Sequence, residues 1–156
     1  FTADRLASAM DIAKSAGRTP FTVIQNEYNL VHRDQYEGAI QQLCVDRDIA
    51  ALPYFGLASG FLTGKYRSTD DFKKSARGNG MERFFEDGQS VLSVMDEIAA
   101  ETGASHSAIA LAWIIAQPGI AAPIAGARVP EQVDPLIEGT RLQLTAEQLS
   151  RLSGAK

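Results

Sequence analysis

One cysteine, Cys44, and two histidines, His32 and His106, are the whole thiol and imidazole supply of this 156-residue chain. A lone thiol closes no internal disulfide, which fits a reducing compartment. The histidines stand far apart with no ligand spacing around them, so no metal site is expected. Long apolar runs are missing too: nothing approaches the roughly 18–20 residues that a membrane-spanning helix needs. The first twenty residues carry Asp4, Arg5, Asp11 and Lys14 where a secretion signal would be apolar. Basic excess is also lacking, since 15 Lys and Arg face 19 Asp and Glu for a net charge of −4. That balance gives no broad attraction for a nucleic-acid backbone or an anionic membrane. The expectation is a cytoplasmic protein with no nucleic-acid partner and no membrane partner. The chain opens on Phe1 instead of methionine, so a preceding segment is expected as well.

What the chain does have is enough apolar material for one domain over residues 1–156: 45% apolar against 22% charged residues. Leu6, Met10 and Ile12 or Ala13 share one side of a helix over 3–16, which Gly17 ends. Phe21, Thr22, Val23 and Ile24 form a β-branched apolar run that gives way to a polar mouth at Gln25, Asn26 and Glu27. Helical spacing returns over 34–47 through Tyr36, Ile40, Leu43 and Cys44, with Asp34 as its N-cap. Ile49, Ala50, Ala51 and Leu52 read as a second buried strand, closed by Pro53 and Tyr54. Residues 56–88 lose periodicity and form one long, charged loop of the kind that often serves as a lid. Helices follow through Val91, Leu92, Met95 and Ile98, and then from Ser105 or Ser107 through Leu111 and Ile115, with Trp113 as packing. A third strand over 120–125 leads to Gly126, and Pro130 sits at the first position of another helix. Thr145 and Gln148 have the spacing of a capping box.

Short, almost wholly apolar strands separated by helices imply parallel pairing with helical cover and burial on both faces of the sheet, hence an α/β fold. Three strands are few for so many helices, and a complete β/α barrel takes about 250 residues. A small open sheet or a piece of a barrel both satisfy the pattern.

Three blocks go further. Gln25, Asn26, Glu27, Tyr28, Asn29, Leu30 and Arg33 form the first; residues 53–66, with Pro53, Tyr54, Phe55, Gly56, Leu57, Ala58, Ser59, Gly60, Gly64, Lys65 and Tyr66, form the second. Ala112, Trp113, Gln117, Pro118, Gly119 and the run from Pro123 through Gly126 to Arg128 form the third. In this order they resemble consecutive blocks of the aldo-keto reductases. The resemblance spans the chain and implies a partial TIM (β/α)8 barrel, its C-terminal half, with strands six to eight and flanking helices. It further implies an oxidoreductase that moves hydride between NADP(H) and the carbonyl of a small-molecule aldehyde or ketone. The family's proton-donating tyrosine and its lysine, aspartate and histidine partners come from the other half of the barrel. No catalytic residue is therefore assigned, and that N-terminal half is the expected partner. A non-catalytic NADP-binding regulatory or structural protein on the same scaffold is the alternative, because the family includes channel-associated subunits.

The resemblance also implies a cofactor site. Gln25 offers both amide donor and acceptor to the nicotinamide carboxamide, and Tyr54 stacks on the ring. Phe55, Gly56, Leu57, Ala58 and Gly60 bring backbone N–H groups to the pyrophosphate. Lys65 meets phosphate, Gly126 precedes an anion-favouring helix start, and Arg128 forks onto the 2′-phosphate, which selects NADP over NAD. Gln132 matches one more contact. Phe55 and Gly56 stand where relatives usually carry serine and proline, and Pro135 and Leu136 where they usually carry glutamate and asparagine for the adenine end. Both departures loosen the expected grip.

Overall fold

The computed structural model describes residues 1–74 and 82–155. Along the chain run α1 (Ala3–Ser15), β1 (Val23–Ile24), α2 (Ala39–Arg47), β2 (Ala50–Ala51), α3 (Glu82–Thr102), α4 (His106–Ile115), α5 (Val133–Arg141) and α6 (Ala146–Gly154). Between β2 and α3 lie a pair of 3₁₀ turns over Ala58–Thr63, kinked at Ser59 and Gly60, and a 3₁₀ segment, Thr69–Lys74; another, Pro130–Gln132, leads into α5. The stretch expected as a loop over 56–88 is thus partly ordered, and α3 begins inside it. The part of that stretch at 75–81 lies outside the described residues.

Local chemistry explains the starts of three of the six described α-helices. Thr2 caps α1 through Arg5 N, Ser105 caps α4 through Ala108 N, and Thr145 with Gln148 closes a reciprocal capping box on α6. α2 begins otherwise. Asp34 does not begin it; residues 34–38 make turns on the Arg33 carbonyl, which accepts from Tyr36 N and Glu37 N at 3.1 Å each. The helix starts only after Gly38, whose φ of 85° suits glycine. Side-chain bonds from outside the segment hold it in that shape: Tyr28 Oη donates to Glu37 Oε1 at 2.8 Å, and Arg33 Nε donates to Glu37 Oε2 at 3.2 Å.

β1 and β2 pair in parallel, Val23 opposite Ala50 and Ile24 opposite Ala51. The segment at 119–124 adds to the other side of β2 as a single parallel bridge, Ala51 to Ile120, where a full strand over 120–125 was expected. Three bonds hold it there: Ala51 N donates to Gly119 O at 2.9 Å, Ala121 N to Ala51 O at 2.9 Å and, because Pro123 has no N–H, Ile124 N donates one residue out of register to Pro53 O at 2.7 Å. All three runs point the same way, so their C-terminal ends form one edge. Contrary to the expected burial on both faces, Phe21, Val23 and Ile124 are 55%, 45% and 43% exposed. Helices cover one face, towards which Ile24 and the fully buried Ala51 turn; among the described residues nothing covers the other.

The core joins α3, α4 and the segment after β1. Val91, Leu92, Met95 and Ile98 of α3 are wholly buried against α4, whose residues from Ala108 to Ile114 are buried all round. No single described helix is long and apolar enough to cross a membrane. Tyr28 packs its ring 5.0 Å from Tyr36 and 5.3 Å from Trp113. The polar atoms of this aromatic node are all satisfied: Tyr36 Oη donates to Pro118 O at 2.8 Å and Trp113 Nε1 to Ser153 Oγ at 3.0 Å. Arg33 lies over Trp113 and donates to Ser153 O at 2.7 Å, which docks the end of α6. Cys44 is buried as a packing residue, and burial raises its thiol pKa.

α5 rests on α4 at Gly139. A Cβ there would fall 2.9 Å from Leu111 Cβ, 3.1 Å from Ala108 O and 3.2 Å from Ala108 Cα, so the contact is backbone on backbone. Gly139→Ala is therefore expected to lower stability by about 1–3 kcal/mol in chemical denaturation. Gly154→Ala, with open space around its Cβ, is expected to be neutral or slightly stabilising; equal effects at both sites would refute the close approach. Burial, with the neighbouring Glu37 carboxylate, raises the pKa of the Tyr28 phenol, and burial raises that of Tyr36. Both stay protonated in the folded state, so their contribution is intact below the ordinary phenol value of 10.0 and is lost as pH rises beyond it. A spectrophotometric titration should show these two phenolates appearing only with alkaline unfolding; reversible ionisation of all four tyrosines in the folded state would contradict it.

Candidate functional site

The edge made by the three strand ends starts at Gln25, which directly follows β1 and is exposed. Beside it lies a hollow of about 290 Å³ walled by Phe1, Leu6, Phe21, Val23 and Ile40. Pairing with the second run continues past β1: Tyr54 N donates to Asn26 O at 3.0 Å, and Tyr28 N donates to Tyr54 O at 3.3 Å. Gln25 and Tyr54 are thereby set at the ends of adjacent runs. Beneath them the Glu27 carboxylate is buried, with His32 Nδ1 at 2.9 Å and Arg83 Nη2 at 3.8 Å.

Tyr54 is half-buried, and its ring meets Phe55 edge-on at 5.1 Å. The chain then takes an uncommon course. Phe55, Ala58 and Ser59 have φ of 57°, 47° and 57°, and Gly60 has 98°. Three non-glycine residues in the left-handed region within five positions are a strained arrangement, of a kind that clusters at functional sites. Asn29 supports it: its Nδ2 donates to Phe55 O at 3.0 Å, while its Oδ1 accepts from Val31 N and His32 N.

The expected row of phosphate-facing amides is only partly available. Ala58 N donates to Phe55 O at 2.7 Å and Gly60 N to Leu57 O at 2.8 Å, so the tight turns consume both. The N–H groups of Gly56 and Leu57 have no acceptor among the described residues. Gly56 owes its small size to packing as well, because a Cβ would sit 3.0 Å from Ile114 Cδ1 and 3.3 Å from Leu111 Cδ2 of α4. Leu57 packs against the core and Ala58 lies within it; Gly56 and Ala58 are buried, while Leu57, Ser59 and Gly60 are partly exposed. Lys65 folds back over this loop: its Nζ lies 3.3 Å from where a Gly60 Cβ would stand and 4.9 Å from the Tyr66 ring centroid.

Ile124 and Pro53 join the third run to the same edge, after which residues 124–134 are exposed. Gly126 has open space around its Cβ position. The Arg128 side chain is exposed with no acidic partner among the described residues, and its backbone N–H donates to Gln132 Oε1 at 2.8 Å. The oxygen of Gln132 is thus committed to capping the turn before α5, and only its amide nitrogen is left for a ligand. Leu136 packs against the core, which accounts for an apolar residue where a polar one was expected.

Gln25, Tyr54 and Arg128 make no hydrogen bond or ring contact with one another among the described residues; what they share is one edge of the sheet. Lys65 and the 55–60 loop are brought together directly. An apolar hollow, two cations without an acidic partner and two amides without an acceptor among the described residues suit a ligand with an uncharged ring and several phosphates. No group of His, Cys, Asp and Glu among the described residues could hold a metal ion. Sequence reasoning missed Asn29, whose position inside the block from Gln25 to Leu30 was a local signal. It also missed the cluster of Arg67, Asp96 and His106, which has none, because its members come from three separate elements.

The model of the family described as "Aldo/keto reductase family" matches residues 1–156. Among curated proteins, "Probable pyridoxal reductase 2" of Schizosaccharomyces pombe is 27% identical over 152 residues, covering 92% of this chain and 46% of the relative. "Aryl-alcohol dehydrogenase [NADP(+)]" of Phanerodontia chrysosporium is 26% identical, with 95% of this chain and 40% of the relative covered. "Aldo-keto reductase YhdN" of Bacillus subtilis is 32% identical over 133 residues, with 82% and 40% covered. The chain therefore spans less than half the length of these relatives. A match from the first residue to the last, on a parallel arrangement whose strand ends carry the blocks described, means that the chain belongs to the aldo/keto reductase family, which uses NADP(H).

Proposed function

We propose that residues 1–156 are the NADP(H)-binding C-terminal part of a (β/α)8 barrel, in which the runs at 21–25, 49–54 and 119–125 are strands six to eight. The complete polypeptide is then an oxidoreductase acting on an aldehyde or ketone. The observation that carries this reading is the shared edge: one parallel ladder through Ala51 sets Gln25, Tyr54 and the Gly126–Arg128 turn at the same end of adjacent runs. In a barrel that end is where ligands bind. The uncovered apolar face with Phe21, Val23 and Ile124 supports a continuation of the barrel wall by further strands.

Each residue has a task in this reading. Gln25 orients the nicotinamide carboxamide with paired amide bonds, and Tyr54 limits which ring face is open. The amides of Gly56 and Leu57 donate hydrogen bonds to the phosphates, and the Lys65 ammonium offsets part of their charge. Arg128 forks onto the 2′-phosphate. When bound, NADPH supplies the hydride; proton delivery falls to residues outside this chain, in keeping with the absence of an assigned acid here.

A fluorescence titration of the complete polypeptide with NADPH and NADH tests this. Arg128→Ala should weaken NADPH binding by about tenfold or more, the scale of one bidentate charge-assisted contact, and leave NADH nearly unchanged. Equal loss for both dinucleotides would remove Arg128 from the 2′-phosphate, and failure of the unaltered protein to bind NADPH would end the reading.

A further inference from the structure

Lys65 is an exposed side chain, and a free lysine loses much rotamer entropy when it is held against a phosphate. Its backbone is the opposite of free. Gly64, at φ 78°, closes the 3₁₀ segment Ala58–Thr63 with its N–H on Phe61 O at 3.2 Å, and Tyr66 is buried on the far side. Two positions later Arg67 ties the turn from three directions. Its Nε donates to the Gly64 carbonyl at 2.8 Å; Nη1 and Nη2 donate to Asp96 Oδ2 and Oδ1 at 2.8 and 2.7 Å; its backbone N–H donates to Asp71 Oδ2 at 2.9 Å. Asp71 also accepts from Ser68 N at 2.8 Å. Asp96 sits on α3, and His106, the first residue of α4, places Nε2 2.8 Å from Asp96 Oδ1. The same nitrogen lies 3.3 Å from Arg67 Nη2, which closes the cluster.

Isolated surface ion pairs contribute little. This one differs in geometry: a two-pronged fork on a carboxylate, with the third guanidinium nitrogen on the carbonyl of the residue next to Lys65. The Asp96 carboxyl is held below the usual carboxylate range, chiefly by the hydrogen bond from Arg67, with partial burial acting the other way. Both partners are therefore charged throughout the neutral range. Helices α3 and α4, which pack on each other in the core, thus anchor a loop residue whose neighbour reaches back over Gly60.

We infer that Arg67, held by Asp96 and His106, is a positioning residue that fixes the backbone of Lys65 so that its ammonium lies over the phosphate-facing loop. The inference rests on the proposed dinucleotide site. Arg67 touches no ligand in it; its effect passes through Gly64 and Lys65.

A double-mutant cycle on NADPH affinity of the complete polypeptide, followed by nicotinamide fluorescence, tests the dependence. Lys65→Ala is expected to weaken binding about tenfold and Arg67→Ala about fivefold, with the double variant no weaker than Lys65→Ala alone, since residues acting as one unit are not additive. Arg67→Lys keeps the charge, cannot form the fork, and should not restore affinity. If Arg67→Ala does not fold, Asp96→Asn, which keeps shape and removes the charge, carries the cycle with Lys65→Ala. Multiplicative losses, or an unchanged affinity in Arg67→Ala, would overturn the inference. A normal response to Arg128→Ala alongside such a result leaves the dinucleotide site standing; no NADPH binding by the unaltered protein overturns both.

Discussion

The structure depends on the backbone of one small residue. Ala51 is buried in the middle run of the sheet, where its N–H and carbonyl bond to Gly119 and Ala121 on one side while its neighbours Ala50 and Leu52 bond to Thr22 and Ile24 on the other. Because all bonds run parallel, the register at Ala51 also decides which residues reach the strand ends. A slip by one residue would carry Gln25, Tyr54 and the Gly126 turn to different heights and turn Ile24 out of the core.

Stability and site are built from different materials. Around Tyr28, Tyr36 and Trp113 every polar tip has a partner, and Arg33 links that node to the end of α6. The edge proposed to meet the dinucleotide has the reverse character, with strained dihedrals at Phe55, Ala58 and Ser59, and with amides at Gly56 and Leu57 and cations at Lys65 and Arg128 that lack an acceptor or an acidic partner among the described residues. Such a loop is tolerable because rigid groups hold it from behind: Asn29 grips the Phe55 carbonyl, Gly56 seats on Ile114, and Arg67 grips the Gly64 carbonyl just ahead of Lys65.

What could be read in the sequence was what depends on neighbours in the chain. The Thr145 and Gln148 capping box and the buried stripe of α3 are fixed within a few residues and appear as expected; of Ser105 and Ser107 the first is the cap, and Pro130 opens a 3₁₀ turn that leads into α5. Asp34 looked like a helix cap, yet bonds from Tyr28 and Arg33 to Glu37 hold that stretch as turns, and no local pattern encodes them. Apolar content suggested strands covered on both faces, but cover is a property of neighbouring elements and not of the run itself. At the site, residue types were legible and their availability was not: whether an amide faces a ligand or bonds within its own turn, as at Ala58 and Gly60, is settled by dihedral angles that composition does not specify.

Trp113 is the chain's single indole, shielded from water and bonded through its nitrogen to Ser153, with the Arg33 guanidinium above its ring. The molecule consequently carries a built-in optical reporter at the seam between α4 and α6. Detachment of the terminal helix would wet the indole and shift its emission to longer wavelength before the rest of the core opens.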